Sequence, residues 1–289
     1  MAEIRTILVT GATGNQGKAV CESLLASGQR VRGMTRDPGK ARIILGSGIE
    51  LVQGDFRNPG SLRHALEGTD AAFMMGTPYE DGPQAEVEQG KAMLDACAER
   101  GIGHVVYSSV CGANKNTGIP HFDSKNLIEQ HLKKTGLPST ILRPVWFMEN
   151  FASSWYLPSI EKGVLSSPLR PDRPLQMISV SDVGKFAAMV FLNPTRFVGR
   201  EIDIAGDELT MEQIAREISR AISRIVRYEP IPEADAEQAV GRDWALMFQW
   251  FNEDGYDVDI GKLRVRFDVP LKSFRRFLEE TRLAGRKAA

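Results

Sequence analysis

The run Thr10-Gly11-Ala12-Thr13-Gly14-Asn15-Gln16-Gly17, placed directly after the apolar triplet Ile7-Leu8-Val9, constrains this chain more than any other feature. The triplet reads as the end of a first β-strand and the residues from Gly17 as a first helix, so three glycines share the strand-to-helix junction. Glycine there removes Cβ bulk. A diphosphate can come close to the backbone and accept hydrogen bonds at the helix N-terminus, where the helix dipole adds partial positive charge. A bare turn has little use for three glycines, because each costs backbone entropy. The expected ligand is a dinucleotide, held by Gly11, Thr13, Gly14 and Gly17, with the amides of Asn15 and Gln16 beside the diphosphate.

Apolar runs alternate with helical patterns through the first half. Strands are predicted at Thr6–Thr10, Gln29–Thr35, Ile49–Gln53, Ala71–Met75, His104–Ser109 and Ser139–Leu142, with helices at Gly17–Ser27, Ser61–Glu67, Gln84–Arg100 and Lys125–Thr135. Alternation at this spacing means β-α-β units. The predicted fold is α/β, a doubly wound parallel Rossmann sheet of order 3-2-1-4-5-6, with the cofactor across the switch point between strands 1 and 4. Asn58-Pro59 supplies a helix cap followed by proline at the first helical position, and Gly28, Gly101 and Gly136 stand where left-handed C-caps are wanted.

Residues 151–180 read as aromatic, proline-rich and irregular. A helix begins over Ile178–Ala187, Glu201–Ile204 adds a strand, and the chain beyond Gly206 turns mainly helical. There Thr210 and Gln213 form a capping box ahead of Ile214, Ile218 and Ile222. The expected domains are therefore 1–150 for cofactor binding, completed by about 178–205, with 151–177 and 206–289 as a small helical lobe on the substrate side, over the sheet's carboxyl edge.

Length and composition suit one α/β domain with an appendage: 289 residues, 42% hydrophobic, 25% charged. The 36 basic and 37 acidic residues give a net charge of −1, without the basic excess of a nucleic-acid binder. Arg275, Arg276, Arg282, Arg286 and Lys287 read as the solvated face and end of a helix. Cys21, Cys97 and Cys111 are odd in number and form no C-x-x-C pair, so they read as buried apolar residues rather than a disulfide framework. Met1-Ala2-Glu3-Ile4-Arg5 lacks the pattern of a leader, and no apolar run approaches the length of a membrane span. A reducing, cytoplasmic setting is the expectation. His64, His104, His121 and His131 match no metal-ligand spacing, and Ser108-Ser109 lacks a G-x-S-x-G elbow, so neither metal nor hydrolase chemistry is expected.

The strand ends refine the cofactor reading. After strand 2 an acidic residue would favour the ribose of NAD, an arginine the 2′-phosphate of NADP. The chain reads Thr35-Arg36-Asp37-Pro38-Gly39-Lys40. Arg36, with Lys40 in support, predicts a preference for NADP(H), NAD(H) remaining possible because Asp37 stands close by. Asp55, followed by Phe56, ends strand 3, where it could meet the adenine amino group or merely cap the turn before Asn58. Gly76 and Thr77 end strand 4 and would approach the nicotinamide-side ribose, with Pro78–Gln84 a loop over the cofactor.

Several segments together resemble the atypical short-chain dehydrogenases/reductases, and among them the NmrA-like group: Thr10 to Gly17, Gly54-Asp55, Val105-Val106-Tyr107-Ser108-Ser109, His121-Phe122-Asp123-Ser124-Lys125, Leu142-Arg143-Pro144 and Phe147-Met148-Glu149-Asn150. The likeness is weakest after about residue 205. It implies NAD(P) binding, adds Pro144 to the cofactor contacts, and embraces both reductases and cofactor-sensing regulators. Typical superfamily members use Tyr-x-x-x-Lys, the phenol protonating a carbonyl while the lysine lowers its pKa and holds the ribose. Here Lys125 matches the lysine and Ser109 the superfamily serine, but His121 replaces the tyrosine. Imidazole could serve as general acid near neutrality, although its nitrogens cannot occupy the place of a phenol oxygen.

Without a strong acid, hydride can still pass to quinones, iminium ions, enones or delocalised dye cations, which are planar and apolar. Trp146, Phe147 and Phe151 follow strand 6, and Trp244 and Phe248 share a helical stripe. Such stripes ordinarily pack cores, yet their concentration predicts that some line an apolar substrate pocket. Two readings result: an NAD(P)H-dependent reductase of a planar, electron-poor small molecule, or a non-catalytic redox sensor that acts through a protein partner.

Overall fold

The computed structural model describes residues 5–267, 269–281 and 283. The leader reading at Met1–Ile4 and the solvated-end reading of Arg282, Arg286 and Lys287 lie outside them. The chain divides into two compact units.

The first comprises 1–115, 120–143 and 183–203. In chain order its elements begin β1 Thr6–Val9, α1 Asn15–Ala26, β2 Arg30–Thr35, α2 Pro38–Leu45, β3 Glu50–Gln53, α3 Pro59–Ala65, β4 Ala71–Met74, α4 Pro83–Glu99, β5 His104–Ser108, α5 Pro120–Thr135 and β6 Ser139–Pro144. The chain continues with β7 Trp146–Phe147, α6 Leu157–Ile160, β8 Val164–Ser167, β9 Pro174–Ile178, α7 Val180–Leu192, α8 Pro194–Phe197 and β10 Glu201–Ile204. The sheet order is β3-β2-β1-β4-β5-β6, as expected, with β10 added beside β6. Pairing is parallel from β3 through to β6.

β1 lies between β2 and β4, with Ile7 opposite both Val31 and Ala71. Connections leave in opposite directions from there, which opens a crevice at the carboxyl ends. Thr10 fixes that end: its buried N–H donates to Phe73 O at 3.0 Å, and its hydroxyl accepts from Met75 N at 2.9 Å. On one face, α3, α4 and α5 bury Leu62, Met93, Leu94, Cys97, Ile128 and Leu132 on strand residues Leu8, Ala72, Val105 and Ile141. Gly90 permits the close approach of α4 to α5, since a Cβ there would lie 2.6 Å from Ile128 Cδ1.

The expected helix signals are present. The Asn58 side chain accepts from Ser61 N ahead of Pro59, and Gly28, Gly101 and Gly136 sit at φ +78°, +66° and +71°. One helix is absent from the predicted set: α2 follows Arg36, with Asp37 as its cap and Pro38 in its first turn. This repeats the Asn58-Pro59 signature, masked by the exposed Ile43 and Ile44, which spoil an amphipathic pattern.

The second unit comprises 116–119, 144–182 and 204–289. After β10 come β11 Asp207–Thr210, α9 Met211–Ile222, β12 Arg227–Pro230, α10 Ala236–Val240, α11 Arg242–Glu253, α12 Ile260–Arg266 and α13 Phe274–Glu280. The capping box at Thr210 and Gln213 forms with both hydrogen bonds in place. Residues 151–180 are less irregular than the sequence suggests. β8 pairs with β12, and β9 joins β7 and β11 in a three-stranded sheet. Strands of two to five residues whose partners lie far along the chain leave little local periodicity. On the described part of the last helix, Arg275 and Arg276 are solvated and paired with Glu217 and Glu280.

Candidate functional site

The glycine loop divides into two roles. Gly11 has φ +60°, and a Cβ on it would lie 2.4 Å from Met75 Sδ; a Cβ on Gly17 would lie 2.1 Å from Gly11 O. These two shape the turn and dock α1 on it. Gly14 is different: it is the exposed N-cap of α1, and a Cβ there would meet nothing closer than Gly11 O at 3.4 Å. Packing does not demand glycine at 14, whereas a group approaching the helix N-terminus does.

That side opens on a cleft of about 640 Å³. Gly11, Thr13, Gly14, Arg36, Lys40, Asp55, Phe56, Gly76 and Thr77 all line it, so nine of the residues assigned to the cofactor share one wall system. Asn15 is exposed on the first turn of α1. Gln16 departs from expectation. It is buried, and its Nε2 donates to Ser108 Oγ at 2.5 Å, so this amide ties α1 to β5 instead of facing a diphosphate. Pro144 is buried at the end of β6, in the second unit.

Charge is dense at the β2 and β3 end. Arg36 holds Glu80 through two N–H···O bonds of 2.6 and 3.0 Å. Asp37 caps α2 by accepting from Lys40 N at 3.0 Å, which lowers its pKa, and its other oxygen is 3.5 Å from Lys40 Nζ. Asp55 accepts from Arg57 N at 3.0 Å, the turn-capping alternative, while still lining the cleft. The sequence reading missed Arg57, Glu80 and Asp81. Arg57 follows the carboxyl end of β3, beside β2, and that position was its one available signal.

At the other end, Ser109 follows β5; its hydroxyl is buried and has no hydrogen-bond partner. His121 and Lys125 share the start of α5, which begins at Pro120 rather than at Lys125. His121 is 6% exposed, its ring edge-on to Phe122 with centroids 4.8 Å apart. Lys125 Nζ donates to Glu86 Oε1 at 2.7 Å and reaches Gly76 O at 3.4 Å. Glu86, on the first turn of α4, is almost fully buried and also accepts from Ser124 Oγ at 2.5 Å. The lysine is thus pinned at Gly76 by a carboxylate that sequence reasoning did not single out. Among Gln84, Glu88 and Gln89 nothing marks Glu86 as the buried one. Tyr107 on β5 lies close to the same group; burial and the Glu86 and Glu129 charges push its phenol well above the usual range.

In the second unit, Trp146, Phe151 and Phe248 are 5%, 0% and 2% exposed. They pack a core and cannot present an open wall, which corrects their assignment to substrate. Phe147 and Trp244 are half-buried, and Trp155, half exposed, stacks on Trp244 at 5.9 Å and 16°. Trp146 Nε1 is a buried donor with no acceptor. Glu149 accepts from Val180 N through both oxygens at 3.1 Å, and burial raises its pKa to about 7.

All three cysteines are buried; burial pushes the Cys21 and Cys97 thiols up to about 12, which disqualifies them as nucleophiles. Among the described residues no group of three or more His, Cys, Asp or Glu is placed to hold a metal ion. No helix among them is long and apolar enough to cross a membrane.

The chain is 31% identical over 229 residues to the (4-alkanoyl-5-oxo-2,5-dihydrofuran-3-yl)methyl phosphate reductase of Streptomyces griseus, covering 78% of this chain and 77% of that one. Its fold is similar to that of the NADPH-dependent quinone oxidoreductase of Escherichia coli complexed with NADPH (TM-score 0.80, 24% identity, 94% and 98% of the two chains). It is equally similar to that of NmrA, a negative transcriptional regulator in complex with NAD (TM-score 0.80, 22% identity, 96% and 95%). Residues 3–274 match the model of the NmrA-like family, and the chain belongs to that family.

Proposed function

We propose that this chain is an NAD(P)H-dependent reductase of planar, electron-poor small molecules (quinones, imines or enones), with NADP(H) the preferred cofactor. The nicotinamide cofactor, when bound, supplies hydride. The fit of this chain to it rests on the open side of Gly14 at the N-terminus of α1, which the tight packing at Gly11 and Gly17 seats beside the cleft. In this reading Thr13 and Gly14 hold the diphosphate, Arg36 with Lys40 the 2′-phosphate, Asp55 and Phe56 the adenine side, and Gly76, Thr77 and Lys125 the nicotinamide-side ribose.

The observation that carries the reading is the intact lysine site beside a missing phenol. Glu86 and Gly76 hold Lys125 in place, yet the position one helical turn before it is His121, not tyrosine. The ribose anchor therefore survives without the usual acid. Acceptors that become stable anions, or need only a weak acid, suit such a site. His121 is the proposed proton donor, its buried ring set by Phe122, and Ser109 offers an unused hydroxyl. In the second unit the Trp155–Trp244 stack, with the half-buried Phe147, is the apolar surface proposed for a planar ring. The likeness to a butenolide phosphate reductase and a quinone oxidoreductase supports the same acceptor chemistry. Three buried thiols fit a reducing, cytoplasmic setting.

The test is a panel of quinones, imines and enones incubated with the protein and NADPH, following loss of reduced-cofactor absorbance. The reading expects oxidation with at least one class and a slowed rate for His121→Phe; an undiminished rate removes His121 as the acid. Likeness to a regulator with bound NAD favours a second reading, a redox sensor acting through a protein partner. Tight binding of oxidised cofactor with no turnover across the panel would select it.

A further inference from the structure

We infer that Glu80 and Asp81 act as internal substitutes for the cofactor's 2′-phosphate: they occupy the arginine forks that NADP(H) must claim, and NAD(H) binds without displacing them. The inference rests on the assignment of Arg36 to that phosphate. Arg36 grips Glu80 with two N–H groups, at 2.6 and 3.0 Å. Arg57 grips Asp81 in the same way, Nε at 2.9 Å and Nη2 at 2.6 Å, and its Nη2 also lies 3.9 Å from Glu80 Oε2. A guanidinium fork matches carboxylate and phosphate with the same geometry, so it cannot present one pair of N–H groups to both.

Charge balance points the same way. Arg36, Lys40 and Arg57 face four carboxylates on the cleft wall, which leaves it at −1. Asp37 and Asp55 are committed to backbone N–H groups, whereas Glu80 and Asp81 are held by side chains alone, Asp81 also by Gln89 Nε2 at 3.0 Å, so these two can exchange their partners. A phosphomonoester carries about −1.5 to −2 at neutral pH and cannot settle on Arg36 while Glu80 remains. Arg36 and Glu80 are about half exposed, so their pairing is weak enough to be exchanged.

Both acids sit on one short turn, closed by Gly82 N donating to Pro78 O at 2.8 Å and followed directly by α4. Tyr79 lies on the same turn, its ring centroid 6.4 Å from that of His121.

Calorimetric titration of the whole chain with 2′,5′-ADP and with 5′-AMP tests this without turnover. Glu80→Gln/Asp81→Asn is expected to raise the preference for 2′,5′-ADP over 5′-AMP roughly five- to tenfold, as two exposed pairs are released. Affinity for 5′-AMP should stay within about twofold, since the adenine side is untouched. Arg36→Ala should abolish the preference. If Arg36→Ala abolishes it and the double variant leaves it unchanged, or strengthens both ligands alike, the substitution by Glu80 and Asp81 is refuted while the Arg36 assignment stands. If Arg36→Ala leaves the wild-type preference intact, the assignment itself falls, and the inference with it.

Discussion

Gly17→Ala and Gly14→Ala separate what shapes the loop from what the loop is for. In the first, the new Cβ would lie 2.1 Å from Gly11 O, 2.5 Å from Gly11 C and 2.9 Å from Ala12 Cα. All three are backbone atoms, so no side chain can rotate away, and either the turn or the start of α1 must shift. Overpacking of this kind costs about 1–3 kcal/mol. Alanine in place of helical glycine returns about 0.5–1 kcal/mol. Because the clash is with backbone, the upper half of the first range applies, and the net loss is about 1–2.5 kcal/mol, a fall of ~2–4 °C in the melting temperature of a chain this size. Gly14→Ala meets only Gly11 O, at an ordinary 3.4 Å, with a backbone of φ −81° and ψ 170° that alanine adopts freely. Its stability cost stays below about 1 kcal/mol, the difference between glycine and alanine at an N-cap. Its methyl group, however, occupies the open side. Losing one hydrogen bond to a charged diphosphate lowers nucleotide affinity by about tenfold or more. Thermal melting of the free protein and calorimetric titration with NADP+ and NAD+ read the two effects. An unchanged melting temperature for Gly17→Ala refutes the packing account, and wild-type affinity in Gly14→Ala refutes the diphosphate's place beside that residue.

Two further outcomes concern buried charge. Lys125→Met strands Glu86, 1% exposed, without its cation, and should cost about 3–5 kcal/mol in urea unfolding; Glu86→Gln/Lys125→Met should recover most of that, and an equal loss in both variants would count against the pair. Glu149, raised to about 7 by burial, binds its proton more tightly folded than unfolded. The stability it contributes is complete below about pH 4.5 and is lost as pH rises to about 7, a decline of about 3 kcal/mol. Glu149→Gln should flatten the unfolding midpoint across that window, and an unaltered slope would disprove the shift.

The cofactor half was legible because its signals are local. An apolar strand, a glycine turn and a capped helix recur at fixed spacing, and each places its carboxyl end at the same sheet edge. Glu86 and Arg57 were not legible. Their importance comes from partners 39 residues away at Lys125 and 24 residues away at Asp81, and neighbouring acids and bases look identical in the sequence. Gln16 erred in the opposite direction: its position in the motif suggested a diphosphate contact, but the rotamer it adopts in the core sends its amide to Ser108. The aromatic residues after β6 and on α11 carried the right composition. Composition cannot distinguish Phe151, sealed in a core, from Trp155, stacked with one face toward solvent.

Local covalent geometry and side-chain periodicity by themselves determined the alternating strands and helices of a doubly wound sheet and the glycine turn at the end of its first strand, since each depends on residues within a few positions of one another. Which carboxylate meets which cation, and which rings are buried, was decided only when distant segments packed together. Desolvation and ion pairing depend on the full three-dimensional neighbourhood, which no window of residues contains.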